Sequence, residues 1–115
     1  MTYKKKVGDF GEDLASKYLK ARSYKIMARN YTKPYGEVDI IARKGDVIVF
    51  VEVKTRKNRR FSNPRDAVTF KKQERIIKAS QAYLIEKDLS EYLMRFDVCE
   101  VLLDTKEINY IENAF

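Results

Sequence analysis

No histidine occurs among the 115 residues, and there is a single cysteine, Cys99. The first absence excludes imidazole general bases, His-dependent triads and His–metal sites. The second excludes an intrachain disulfide and a zinc cage of thiolates. Any catalysis falls to carboxylates, Lys, Tyr, Ser/Thr or a metal, and oxygen-only ligation suits hard cations such as Mg²⁺ or Mn²⁺. Long apolar runs are also missing. The longest, Val47 to Val51, is far below the roughly 20 residues that span a membrane. The N-terminus MTYKKKVGDFGED is basic, then acidic, with no apolar run behind it, unlike a signal peptide. The expectation is a soluble, unprocessed, cytoplasmic protein with no membrane partner.

What is present is enough apolar residue, 44%, to build a core within the size of one domain. Charge is uneven. Residues 1–60 carry 16 Lys/Arg against 7 Asp/Glu, and residues 61–115 carry 8 against 10. Clustered positive charge is the footprint expected for a phosphate backbone; a generic Lys-rich surface fits the same numbers.

Val7, Phe10, Leu14, Tyr18 and Ala21 recur at spacings of three and four, which predicts an amphipathic helix over about 7–22. Ser23 opens a turn into a strand, Tyr24–Tyr31, and Thr32-Lys33-Pro34-Tyr35-Gly36 reads as a loop. Glu37–Ala42 and Val47–Lys54 read as strands joined by a turn at Arg43–Asp46. The run Lys54–Arg60 holds five cations in seven residues and predicts a solvated loop. Asn63-Pro64 resembles a helix start, with a re-start at Thr69 and an end near Lys87. The inward stripe of this helix is Gln73, Ile76, Ile77, Ser80 and Leu84. Arg95–Leu103 is a strand, and Ile108–Phe115 a short tail without an assigned element. The order α-β-β-β-α-β, with strands too apolar to face water, predicts one α/β domain over 1–115: a mixed central sheet flanked by helices. Its core is expected at about 7–103, with the tail at 104–115.

The hairpin carries the chemistry. A turn centred on Lys44-Gly45 sets Ile41 against Ile48, Asp39 against Phe50 and Glu37 against Glu52. Alternation then puts Glu37, Asp39 and Ile41 on one face with Ile48, Phe50, Glu52 and Lys54, and Val38, Ile40, Val47, Val49, Val51 and Val53 on the other. Asp39 and Glu52 become diagonal neighbours, with Cα atoms roughly 7–8 Å apart, close enough for two carboxylates to share a cation. The plainer alternative is an ion-pair cluster in which Lys54 only balances the two acids. Glu12 lies at the rim of the first helix's apolar stripe, within reach of the sheet end. Gly8 and Gly11 beside it imply close approach of a backbone or ligand. Gln73 shares the inward stripe of the second helix, as a site residue or a backbone partner. Tyr31, Tyr35 and Phe61 border the basic loops, as stacking platforms or as packing.

Asp39, followed by Glu52-Val53-Lys54, resembles the Asp…(Asp/Glu)-x-Lys signature of the PD-(D/E)xK nuclease superfamily. Gly11-Glu12-Asp13-Leu14-Ala15, Gly36 to Ala42, Phe50 to Arg56, Lys72-Gln73 and Arg95-Phe96-Asp97-Val98 together resemble the YraN-like family of small bacterial proteins. That family is predicted to be endonuclease-like and similar in fold to archaeal Holliday-junction resolvases. Val38 stands where the superfamily pattern has Pro. The resemblance implies a restriction-endonuclease-like fold, with Asp39 and Glu52 ligating Mg²⁺ or Mn²⁺ and the Val53 carbonyl assisting. It further implies that Glu12 binds a second metal or orients its water, that Lys54 assists the attacking water or stabilises the transition state, and that Gln73 is accessory. Phosphodiester hydrolysis needs a polarised water, a neutralised phosphate and a stabilised leaving oxygen, which a hard cation and a Lys supply. Arg56, Lys57, Arg59 and Arg60, with Lys72, are expected to hold flanking phosphates, DNA being favoured over RNA.

The leading expectation is a metal-dependent DNA endonuclease selective for branched or junction DNA in recombination or repair, and a homodimer by analogy with resolvases. The alternatives are a non-catalytic nucleic-acid-binding protein that keeps the fold, and a protein-interaction module with a structural acidic cluster. The last predicts that Asp39→Ala and Glu52→Ala lower stability without metal or DNA.

Overall fold

The computed structural model describes residues 3–58 and 68–115. Its elements run α1 (Tyr3–Ala21), β1 (Lys25–Lys33), β2 (Gly36–Lys44), β3 (Val47–Arg56), α2 (Phe70–Glu86), β4 (Leu93–Leu102) and β5 (Ile108–Ile111). The strands lie in sequence order in one mixed sheet, parallel only between β3 and β4. The parallel pair follows from the α2 crossover between those two strands. The fifth strand is an addition to the expected order. It lies in the unassigned tail, where Phe115 also stacks on Phe96 of β4 at 5.2 Å. Asn63-Pro64 falls outside the described residues, and α2 is capped by Thr69, whose hydroxyl accepts from the Lys72 N–H at 3.2 Å.

Each sheet face is covered by one helix, so the central strands are apolar on both sides. Ile41, Ile48, Phe50 and Val98 pack with Ile76, Ala79, Tyr83 and Leu84 of α2. Ile40, Ala42, Val49, Val51, Cys99 and Val101 pack with Ala15 and Leu19 of α1. Both helices are rotated from the predicted stripes. In α1 the inward line runs through Gly11, Ala15 and Leu19, leaving Phe10 exposed, because small residues let the helix approach closely. A side chain at Gly11 would collide with the Thr55 hydroxyl of β3. Gly8 faces open space and has no such reason. In α2, Ala79 and Tyr83 replace Ile77 as buried positions.

The hairpin register differs from the expectation by two residues. The turn is Gly45-Asp46, with Gly45 at φ +61°, so Lys44 faces Val47, Ile41 faces Phe50 and Ile40 faces Val51. A two-residue hairpin turn with positive φ only at its first central residue favours glycine there, as in type II′ turns. A two-residue shift keeps every side chain on its predicted face, with one exception. Val38 packs on the α2 side, whereas Ile40 packs on the α1 side. Alternation slips across Asp39, opposite Asn30, whose φ is +53°.

Candidate active site

The β2–β3 ladder closes at Ile40↔Val51, while β3 continues beside β4 as far as Arg56↔Leu102. One step beyond the last rung, the strands part with Asp39 and Glu52 facing each other. The Asp39 carboxylate accepts the Val53 N–H at 2.8 Å, replacing the backbone carbonyl that a continued ladder would supply. The N–H and C=O of one strand residue leave on the same side, so the Val53 carbonyl is directed to this fork as well. Glu52 is buried, 6% exposed, and its carboxylate meets the Lys72 ammonium at 2.6 Å. Burial first, and then the negative charge of Glu52 beside it, push the Asp39 carboxyl up to about 8; the Val53 N–H acts in the opposite direction and is outweighed. Burial alone lowers the Lys72 ammonium, but Glu52, Asp39 and Glu37 outweigh it and raise it above the usual lysine value.

Glu12 projects from α1 to the rim of the fork. Its side chain is 12% exposed and reaches Arg29 of β1 at 3.4 Å, while Arg29 makes its shorter bond, 2.8 Å, to Asp13. Burial raises the Glu12 carboxyl, against the lowering effect of Arg29 and Asn30. Glu12, Asp39, Glu52, Val53, Lys54 and Lys72 line a common cleft of about 540 Å³. Among the described residues no three carboxylates or thiols converge into a protein-only metal cage. Two adjoining carboxylates in a solvent-reachable cleft still suit Mg²⁺, which keeps several waters and takes one or two carboxylates together with substrate phosphates. The donor set therefore fits one hard cation, with Glu12 turned to Arg29 instead of completing the pair.

Sequence comparison shows the family of the chain. The model of the uncharacterised protein family UPF0102 matches residues 11–101. The chain is 50% identical over 115 residues to a UPF0102 protein of Alkaliphilus oremlandii, covering 96% of this chain and 98% of that one. It is 48% identical over 111 residues to one of Clostridioides difficile, at 96% and 97% coverage, and 44% identical to one of Dictyoglomus turgidum, at 96% and 98%. The chain belongs to UPF0102. This is the YraN-like family that its sequence blocks resemble, and the matched span of UPF0102 runs from the α1 residues beside Glu12 through most of β4.

Other positions singled out in the sequence are placed differently. Lys54 lines the cleft but does not balance Glu52; Lys72 does, because the first turn of α2 overhangs the fork. Lys72 thus belongs to the fork and is not a free phosphate contact. Gln73 donates to the Val68 carbonyl at 3.2 Å and fastens the entry to α2. Arg56 is the last residue of β3, 15% exposed, and lies 3.3 Å from the fully buried Glu100, so it is not a free loop cation. Lys57 is exposed; Arg59, Arg60 and Phe61 lie outside the described residues. Tyr31 packs edge-on against Tyr83 at 5.1 Å, whereas Tyr35 is 43% exposed. The Arg95–Val98 block is a brace. Asp97, fully buried, accepts from Arg95 (Nε at 2.9 Å, Nη2 at 2.8 Å), from the Tyr110 hydroxyl at 2.6 Å and from the Asn113 N–H at 2.9 Å. Burial, then Glu100, push the buried Cys99 thiol up to about 12, which leaves it without thiolate reactivity. Sequence reasoning missed Arg29 and the α2 cations Lys71, Arg75 and Lys78. For α2 the signal was present: Lys71 and Arg75 stand at i, i+4, a repulsive spacing.

Proposed function

We propose that this protein hydrolyses phosphodiester bonds in DNA with a divalent cation, Mg²⁺ or Mn²⁺, held by Asp39 and Glu52. The observation that carries this reading is the fork itself: two facing carboxylates, one backbone donor and one ammonium between them, at the floor of an open cleft. A protein seeking only stability gains little from a buried and a half-buried acid side by side with too few counter-charges. When bound, the cation supplies neutralisation of the phosphate and polarisation of a water.

The chain's own residues supply the rest. The Val53 N–H fixes the Asp39 carboxylate, and its carbonyl adds an oxygen on the same edge. Lys72 orients the Glu52 carboxylate. Lys54 lines the same cleft and is placed to offset negative charge that develops on the phosphate oxygens. Glu12, held by Arg29, lines the same cleft.

The test compares wild type with Glu52→Gln on flap, fork, four-way-junction and single-stranded DNA, with Mg²⁺, Mn²⁺ or EDTA. The expected result is cleavage by wild type that EDTA and Glu52→Gln both abolish. Equal cleavage by Glu52→Gln, or none by wild type on any substrate, sinks the reading.

A further inference from the structure

Beyond the fork, α2 carries charge that packing does not explain. Lys71, Lys72, Arg75 and Lys78 fall within its first nine residues, and its first turn holds no acidic side chain. Cations are unfavourable at the positive end of a helix dipole, and like charges spaced i, i+3 and i, i+4 repel. Lys72 is matched by Glu52. Lys71, Arg75 and Lys78 are exposed, and among the described residues none of the three has an ion-pair partner.

These three form one wall of a second cleft, of about 880 Å³, whose floor again includes Asp39 and Glu52. Glu37 and Glu74 also border it. The end of the β1–β2 hairpin, Thr32 to Glu37, also lines it. A side chain at Gly36 would run into the backbone carbonyl of Arg75, so the turn is seated directly on α2. Tyr35, at its tip, is therefore an exposed ring held at a set position beside the cationic wall. From Lys71 to Lys78 the helix rises about 10 Å, so the three cations lie along one stripe bordering the cleft.

We propose that this cleft holds an unpaired DNA strand, with Lys71, Arg75 and Lys78 on successive phosphates and Tyr35 stacked on a base, leading the chain across Asp39 and Glu52. The inference rests on the hydrolytic reading and narrows its substrate to DNA with a single-stranded segment beside the cleaved bond. An unpaired strand is required because a base within a duplex has both faces covered by its neighbours, whereas a free base offers one to an aromatic ring.

Fluorescence anisotropy of a labelled oligothymidine and of a duplex of equal length, in EDTA across a salt series, tests it. The oligothymidine is expected to bind more tightly than the duplex. Tyr35→Ala should weaken it about tenfold and Tyr35→Phe should not, since stacking needs only the ring. The triple variant Lys71→Ala, Arg75→Ala, Lys78→Ala should reduce the salt slope by about 2, at about 0.7 per contact. Tighter duplex binding, an unaltered slope, or Tyr35→Ala equal to wild type overturns the proposal; melting curves confirm that each variant is folded. Parallel cleavage with Mn²⁺ separates the two readings. Glu52-dependent cleavage with unaltered binding by the triple variant removes the cleft assignment alone. The expected binding pattern without Glu52-dependent cleavage supports the cleft and removes hydrolysis alone.

Discussion

Two carboxylates on this sheet, the fully buried Asp97 and the half-buried Asp39, have opposite surroundings. Asp97 is saturated: a two-pronged Arg95 guanidinium, the Tyr110 hydroxyl and the Asn113 N–H all donate to it, and Arg95 is held in turn by Tyr24. Asp39 receives one backbone N–H and faces two further acids, Glu52 and Glu12. The first arrangement ties β5 and the chain end to β4. The second leaves a deficit of positive charge at the floor of a cleft. An acid that is fully matched fastens the fold; an acid left short of donors, and open to solvent, is where an added cation has something to do.

The largest effect that would break this contrast is on the brace. Asp97→Ala strands the Arg95 guanidinium and should cost about 3–5 kcal/mol of stability, read as a large fall in the midpoint of urea unfolding. If Glu52→Ala falls as far in EDTA, the fork is structural too. Next comes turnover: Glu52→Gln should lower metal-dependent DNA cleavage by about a hundredfold or more, equivalent to about 3 kcal/mol, with melting little changed. A smaller loss sharpens the picture of the brace. Tyr110→Phe removes one donor to a charged acceptor and should cost about 1–2 kcal/mol.

The smallest expected effect has the opposite sign. In Asp39 the folded carboxyl holds its proton more tightly than the unfolded one. The native state thus binds more protons, and this contribution to stability is complete below the ordinary carboxylate range. It is lost as pH rises from there to about 8. Asp39→Asn, which keeps an oxygen to accept the Val53 N–H, should raise the melting temperature in EDTA at neutral pH by a few degrees and flatten that pH dependence. A lower melting temperature for Asp39→Asn would place Asp39 with Asp97.

Much of this was legible in one dimension. The Val/Ile-rich hairpin, its alternation and the Asp39…Glu52-x-Lys54 spacing follow from residue type and period 2, and a two-residue error in register left both acids on adjoining rungs. Val38 escaped because the slip across Asp39 depends on Asn30 of a neighbouring strand. β5 escaped because four residues of moderate apolarity become a strand only when β4 offers an edge. Arg56 read as a loop cation because nothing local announces that Glu100, 44 residues later, lies buried beside it.

By itself, then, the sequence determined the reactive groups and the helix-and-strand alphabet: no imidazole, one thiol, and carboxylates and lysines at spacings that strand geometry converts into a shared site. Only the tertiary structure decided which charge meets which. Lys72 replaced Lys54 as the partner of Glu52, Arg95–Asp97 became a brace, and the α2 cations came to line one cleft with Tyr35. Local periodicity sets the direction of a side chain from its own backbone. Its partner is set by crossover packing and by the point where two strands part, and those depend on the burial of the whole sheet.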